Sequence, residues 1–96
     1  MPYIDREARK RFEKILNEFR TMVGVVKRPP GDLNYLITQL ILINMQAEMA
    51  VKINALRYSD INEAMGVLEC VKHEFYRRLA VPLEEFKAKE NGDVYP

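Results

Sequence analysis

The chain has 96 residues, 48% of them hydrophobic and 30% charged, with 15 basic against 14 acidic side chains and a net charge of +1. This is the composition of one globular domain, residues 1–96, and not of a disordered chain. The near-zero charge argues against bulk binding to DNA or RNA, which needs a basic face. One cysteine excludes an internal disulfide framework and fits a reducing compartment.

The opening MPYIDREARKRF is charged and lacks an apolar h-region, so no signal peptide is expected. A first helix is predicted from Asp5 to about Val23. Ile4, Ala8, Phe12, Ile15, Leu16, Phe19, Met22 and Val23 recur at helical spacing, and Asp5 is placed to cap the start. Gly24 is the expected stop. VVKRPPG then reads as a linker, with Pro29 and Pro30 expected to forbid helix. Gly24–Lys27 is the one candidate for a strand, and it is brief.

A second helix is predicted from Leu33 to about Leu56, with Asp32 as N-cap. Leu33, Leu36, Ile37, Leu40, Ile43, Ala47 and Val51 make one apolar face. Ile41, Leu42, Met45, Met49 and Leu56 make another, so this helix needs cover on two sides. A second copy of the chain is the expected cover. Asn44 either fixes register between packed helices or bonds water at an edge. The longest uninterrupted apolar run here is Leu40–Ile43, far below the ~18 residues of a membrane span.

A third helix is predicted from Asp60 to about Ala80, with Asp60 as N-cap and Glu63 three residues on. Ile61, Ala64, Met65, Leu68, Val71, Phe75 and Leu79 form its apolar face. Pro82 is expected to end or kink it. Leu83–Glu90 reads as a short further helix, and Asn91-Gly92 as a stop before the tail. The expected fold is all-α: three main antiparallel helices plus a short C-terminal helix, oligomeric through the second helix.

The stretch GVLECVKHEFYRR, Gly66–Arg78, carries the lone cysteine and the lone histidine. On a helix, Glu69 and His73 face each other across one turn. They read as a surface pair, because a metal needs about three protein ligands and a second histidine is missing. Cys70 lacks a Gly-rich turn or helix N-terminus to activate it and reads as a packing residue. No P-loop, dinucleotide fingerprint, HExxH or GxSxG is present. No catalytic residue, metal or cofactor is expected. Lys72 falls within the apolar face of the third helix, where a lysine either snorkels out or meets an acid or anion. Glu48 is the natural internal partner. Lys72, Tyr76 and Arg77, with Lys27, Arg28 or Tyr35 from a neighbouring helix, suit a phosphate beside a base. The plain alternative is a solvated helix end.

MPYI, GDLNYLITQL, INEAMGVLECVKHEFYRR and ENGDVY together resemble a family of short helical proteins from bacterial, archaeal and phage genomes. The resemblance spans most of the chain outside Gly24–Pro30. It implies a full-length natural protein and is compatible with a viral source, and it assigns no residue a role. Three readings follow. The first is a non-enzymatic homo-oligomer binding a small anionic, nucleotide-like ligand, with a phage sponge for an immune messenger as the analogy. The second is a protein-interaction module, and the third a small hydrolase using Glu63, Glu69 or His73. The expected location is the cytoplasm, the host's if the source is viral.

Overall fold

The computed structural model describes residues 4–45 and 56–96, and every regular element among them is helical. The chain divides into two units, residues 1–38 and 39–96.

The first unit opens with α1, Arg6–Arg9, capped as expected: Asp5 Oδ1 accepts the Ala8 N–H at 2.8 Å. A 3-10 turn, Lys10–Phe12, leads into α2, Glu13–Val23. Gly24 ends it with φ at 62°, in the left-handed half of conformational space, and donates its N–H to Arg20 O at 3.0 Å. Gly24–Val26 forms turn and bend, and no residue of Gly24–Lys27 is in a strand.

α3 runs Pro30–Asn44 and corrects two expectations. Pro30 opens the helix instead of forbidding it. The first helical N–H has no partner inside a helix, so a residue lacking one loses nothing there, and its φ is already helical. Asp32 is therefore inside the first turn, and the Pro29 carbonyl takes the N–H groups of Asp32 and Leu33 at 3.0 and 3.4 Å. The expected continuation through Ala47, Met49 and Val51 lies outside the described residues.

The second unit carries the rest of α3 and then α4, Tyr58–Phe75. This start also differs from the expectation. Asp60 sits in the first turn, and its carboxylate reaches back to the Arg57 N–H at 3.1 Å. The acidic half of a capping box is present, one turn earlier than Asp60 as N-cap would place it. Asp60→Ala should lower stability by about 1 kcal/mol, read from a urea melt.

Pro82 does not end the helix. The five residues before Val81, Tyr76–Ala80, widen into a π-helical segment, and α5, Val81–Asn91, continues from it. Val81 donates five residues back, to Tyr76 O. A proline inside an α-helix clashes with the carbonyl four residues earlier, here that of Arg78. The wider turn relocates that clash, and the chain stays helical through the proline. Gly92, with φ at 83°, closes α5.

Among the described residues not one is buried. Phe19, Val23, Leu36, Ile41, Leu42, Met45 and Leu56 are half-buried. Leu33, Leu40, Ile43, Ile61, Met65, Phe75 and Leu79 are exposed.

Candidate functional site

The residues singled out from sequence fall in two groups. Lys27, Arg28 and Tyr35 belong to the first unit, and Lys72, Tyr76 and Arg77 to the second. In the first group, Arg28 donates through both Nε and Nη2 to Asp32 Oδ2, at 2.9 and 2.7 Å. This arginine clamps the first turn of α3, where a carboxylate is favoured by the helix dipole. Lys27 is exposed in the irregular segment before it, and Tyr35 is exposed on α3.

The second group lies along the end of α4 and the π segment. Lys72 is not buried: its side chain is 74% exposed, and Nζ lies 3.6 Å from Glu69 Oε1. The stripe around it, Met65, Leu68 and Phe75, is exposed as well, so in the single chain the ammonium meets water. Glu48, the expected internal partner, lies outside the described residues. Glu69 also holds His73, with Nε2 at 3.1 Å from the same Oε1, as the four-residue spacing predicts. Arg77 Nη2 donates to both oxygens of Glu74, at 3.1 and 3.0 Å.

Tyr76 is the first residue of the π segment, and its hydroxyl reaches Glu84 on α5 at 3.4 Å. This partner was invisible to sequence reasoning, which expected Pro82 to end or kink the helix. The signal was Pro82 itself, since a proline absorbed within a helix implies a local widening. Tyr76 also lines an open cleft of about 610 Å³ along α5 and the tail. Glu84, Glu85 and Asp93 line it against Lys87 alone, so its polar lining is acidic.

Each cation of the second group therefore has a carboxylate within reach. The pairs are solvent-exposed, one helical turn long, and worth about 0.3–0.5 kcal/mol each. Among the described residues, no three His, Cys, Asp or Glu side chains converge on a point that could hold a metal. Cys70 is a free, exposed thiol, placed by helical spacing on the side of α4 away from Ile61, Met65, Leu68 and Phe75. Cys70→Ala and His73→Gln should each melt within about 0.5 kcal/mol of the parent and keep its assembly. Loss of assembly with an unchanged circular-dichroism spectrum would give that side of α4 a role.

Among the described residues these features define an all-helical fold with its charged side chains on exposed helix faces. The chain belongs to the family described as a domain of unknown function (DUF6899), whose model matches residues 1–94. No curated protein and no solved structure matches it. Among the described residues no helix is long and apolar enough to cross a membrane.

Proposed function

We propose that this chain acts as a non-enzymatic homo-oligomer of antiparallel helices, joined through α3. One observation carries the reading: among the described residues none is buried, while Leu33, Leu40 and Ile43 lie exposed along one side of α3. A chain that is 48% hydrophobic needs a covered core to be stable in water. A second copy supplies that cover with the same apolar surface. The expected mass by light scattering at micromolar concentration is an even multiple of 11.3 kDa. A sample that stays at one chain across the concentration range would remove the proposal.

A small anionic, nucleotide-like ligand is the second reading, and the π segment favours it. Single π turns inside α-helices recur at functional sites, and this one carries Tyr76 and Arg77 one turn from Lys72. Lys72 and Arg77 would hold a phosphate and Tyr76 would stack a base, with Lys27, Arg28 or Tyr35 contributed from a neighbouring helix. A thermal-shift screen with nucleotides and cyclic nucleotides, with and without Mg²⁺, tests it, since specific binding raises stability by RT ln(1 + [L]/Kd). For a nucleotide that shifts the melt, Lys72→Ala should weaken binding at least ~10-fold, as loss of a charged contact does. Unchanged affinity in Lys72→Ala and Arg77→Ala, with assembly preserved, would eliminate this site.

A further inference from the structure

The π segment changes which residues share a side of the helix. Eight α-helical steps turn through about 800°, which leaves residues i and i+8 about 80° apart. A π turn takes one more residue for nearly the same rotation. The eight steps from Tyr76 to Glu84 therefore turn through about 700° and leave the two about 20° apart. Their bond depends on this register: the Tyr76 hydroxyl donates to Glu84, with both carboxylate oxygens at 3.4 Å. Pro82 keeps the register, since in the α alternative its ring meets the Arg78 carbonyl.

The bond also sets the direction of the ring. Glu84 lies eight residues from Tyr76 towards the C-terminus, and Lys72 lies four residues the other way. Helix side chains ordinarily lean back over the preceding turn, which is where Lys72 stands. In its observed place the ring lines the α5 cleft with Glu84, Glu85 and Asp93, against Lys87 alone. Those carboxylates repel a phosphate, whereas Lys72 and Arg77 attract one. Tyr76 is exposed, so little packing opposes its swing from one side to the other.

We infer that Glu84 is a latch on Tyr76, aligned by Pro82: it holds the ring along α5, and a nucleotide at Lys72 and Arg77 gains its stacking partner only in exchange for the Tyr76–Glu84 hydrogen bond. The inference rests on the nucleotide reading of that site and adds its regulation. A phenol on an exposed carboxylate is a modest hold, which a ligand of ordinary affinity can displace.

The alignment is tested first, without ligand. In the parent, the Tyr76 ring protons should show a nuclear Overhauser effect to the Glu84 side chain. In Pro82→Ala the new N–H permits the α register, and the effect should vanish. A parent that lacks it overturns the latch, and a Pro82→Ala chain that keeps it overturns the alignment by Pro82.

AMP and inorganic phosphate are then titrated by calorimetry, because they share the phosphate and differ in the base. Glu84→Ala should bind AMP about 3- to 10-fold tighter than the parent, as loss of one competing hydrogen bond allows, and bind phosphate no tighter. Glu84→Gln retains an accepting oxygen and should stay near the parent for AMP. Adding Tyr76→Ala to Glu84→Ala should abolish the gain. Equal gains for AMP and phosphate would make Glu84 a repelling charge and overturn the latch. Unchanged AMP affinity in Glu84→Ala removes the latch and leaves the site standing. AMP bound by neither the parent nor any variant removes the site for a base beside a phosphate, and the latch with it.

Discussion

Leu40→Asp combined with Ile43→Asp is expected to reduce the protein to single 11.3 kDa chains at concentrations where the parent is assembled. Leu40 is 57% exposed and Ile43 56% exposed, on the same side of α3 as Leu33. Covering one such side chain is worth roughly 1.5–3 kcal/mol. Two substitutions per chain, counted in both copies of a two-fold contact, exceed about 6 kcal/mol. At 1.4 kcal/mol per tenfold, that is a loss of at least ~10⁴ in association. Four carboxylates forced into one apolar contact add a desolvation cost in the same direction. Because the single chain lacks a core among its described residues, dissociation should lower the melting temperature too, and the melt should depend on concentration. Tyr35→Ser is the control. Tyr35 stands two residues from Leu33, about 200° around the helix, so its loss should leave the mass unchanged. If the double variant keeps the parent mass, α3 is not the joint.

Gly24→Val and Gly66→Ala are expected to move stability in opposite directions. Gly24 holds φ at 62° and ψ at −129°, a combination that a side chain carrying Cβ resists. No neighbouring atom lies within 4 Å of where its Cβ would stand, so the cost is backbone strain and not a clash. Strain of this kind runs about 1–3 kcal/mol, and β-branching puts valine at the upper end. Gly66 sits in the interior of α4 with ordinary helical geometry and the same open surroundings. Alanine there removes unfolded-chain entropy and should stabilise by about 0.5–1 kcal/mol. Urea melts of both variants decide it. A Gly24→Val protein as stable as the parent would mean that α2 can end without the left-handed residue.

Local chemistry made several features readable in advance. Asp5 precedes the first helical turn and caps it, because an N-cap needs only a short carboxylate and an extended backbone at one position. Glu69 and His73 meet because a helix brings residues four apart together whatever surrounds it. Gly24 and Gly92 stop their helices for the same local reason. Proline at position 30 was misread as forbidding helix, and at position 82 the expected end of the helix does not occur. The effect of a proline depends on which turn it enters: harmless in the first, and accommodated by a π segment in an interior.

The periodicity of apolar residues determined by itself that this chain is helical, and which sides of α2, α3 and α4 are apolar. It also placed Lys72 inside the α4 stripe. Burial was a different matter, decided only by the tertiary structure. Ile41, Leu42 and Met45, expected to need an outside partner, are half-covered, while Leu33, Leu40 and Ile43 are the exposed ones. Lys72 stands in water and Tyr76 reaches Glu84 across the π segment. The reason is physical. Which face is apolar follows from a repeat of 3.6 residues along one chain, but whether that face is dry depends on what packs against it. A bond such as Tyr76 to Glu84 depends on how a helix widens between them.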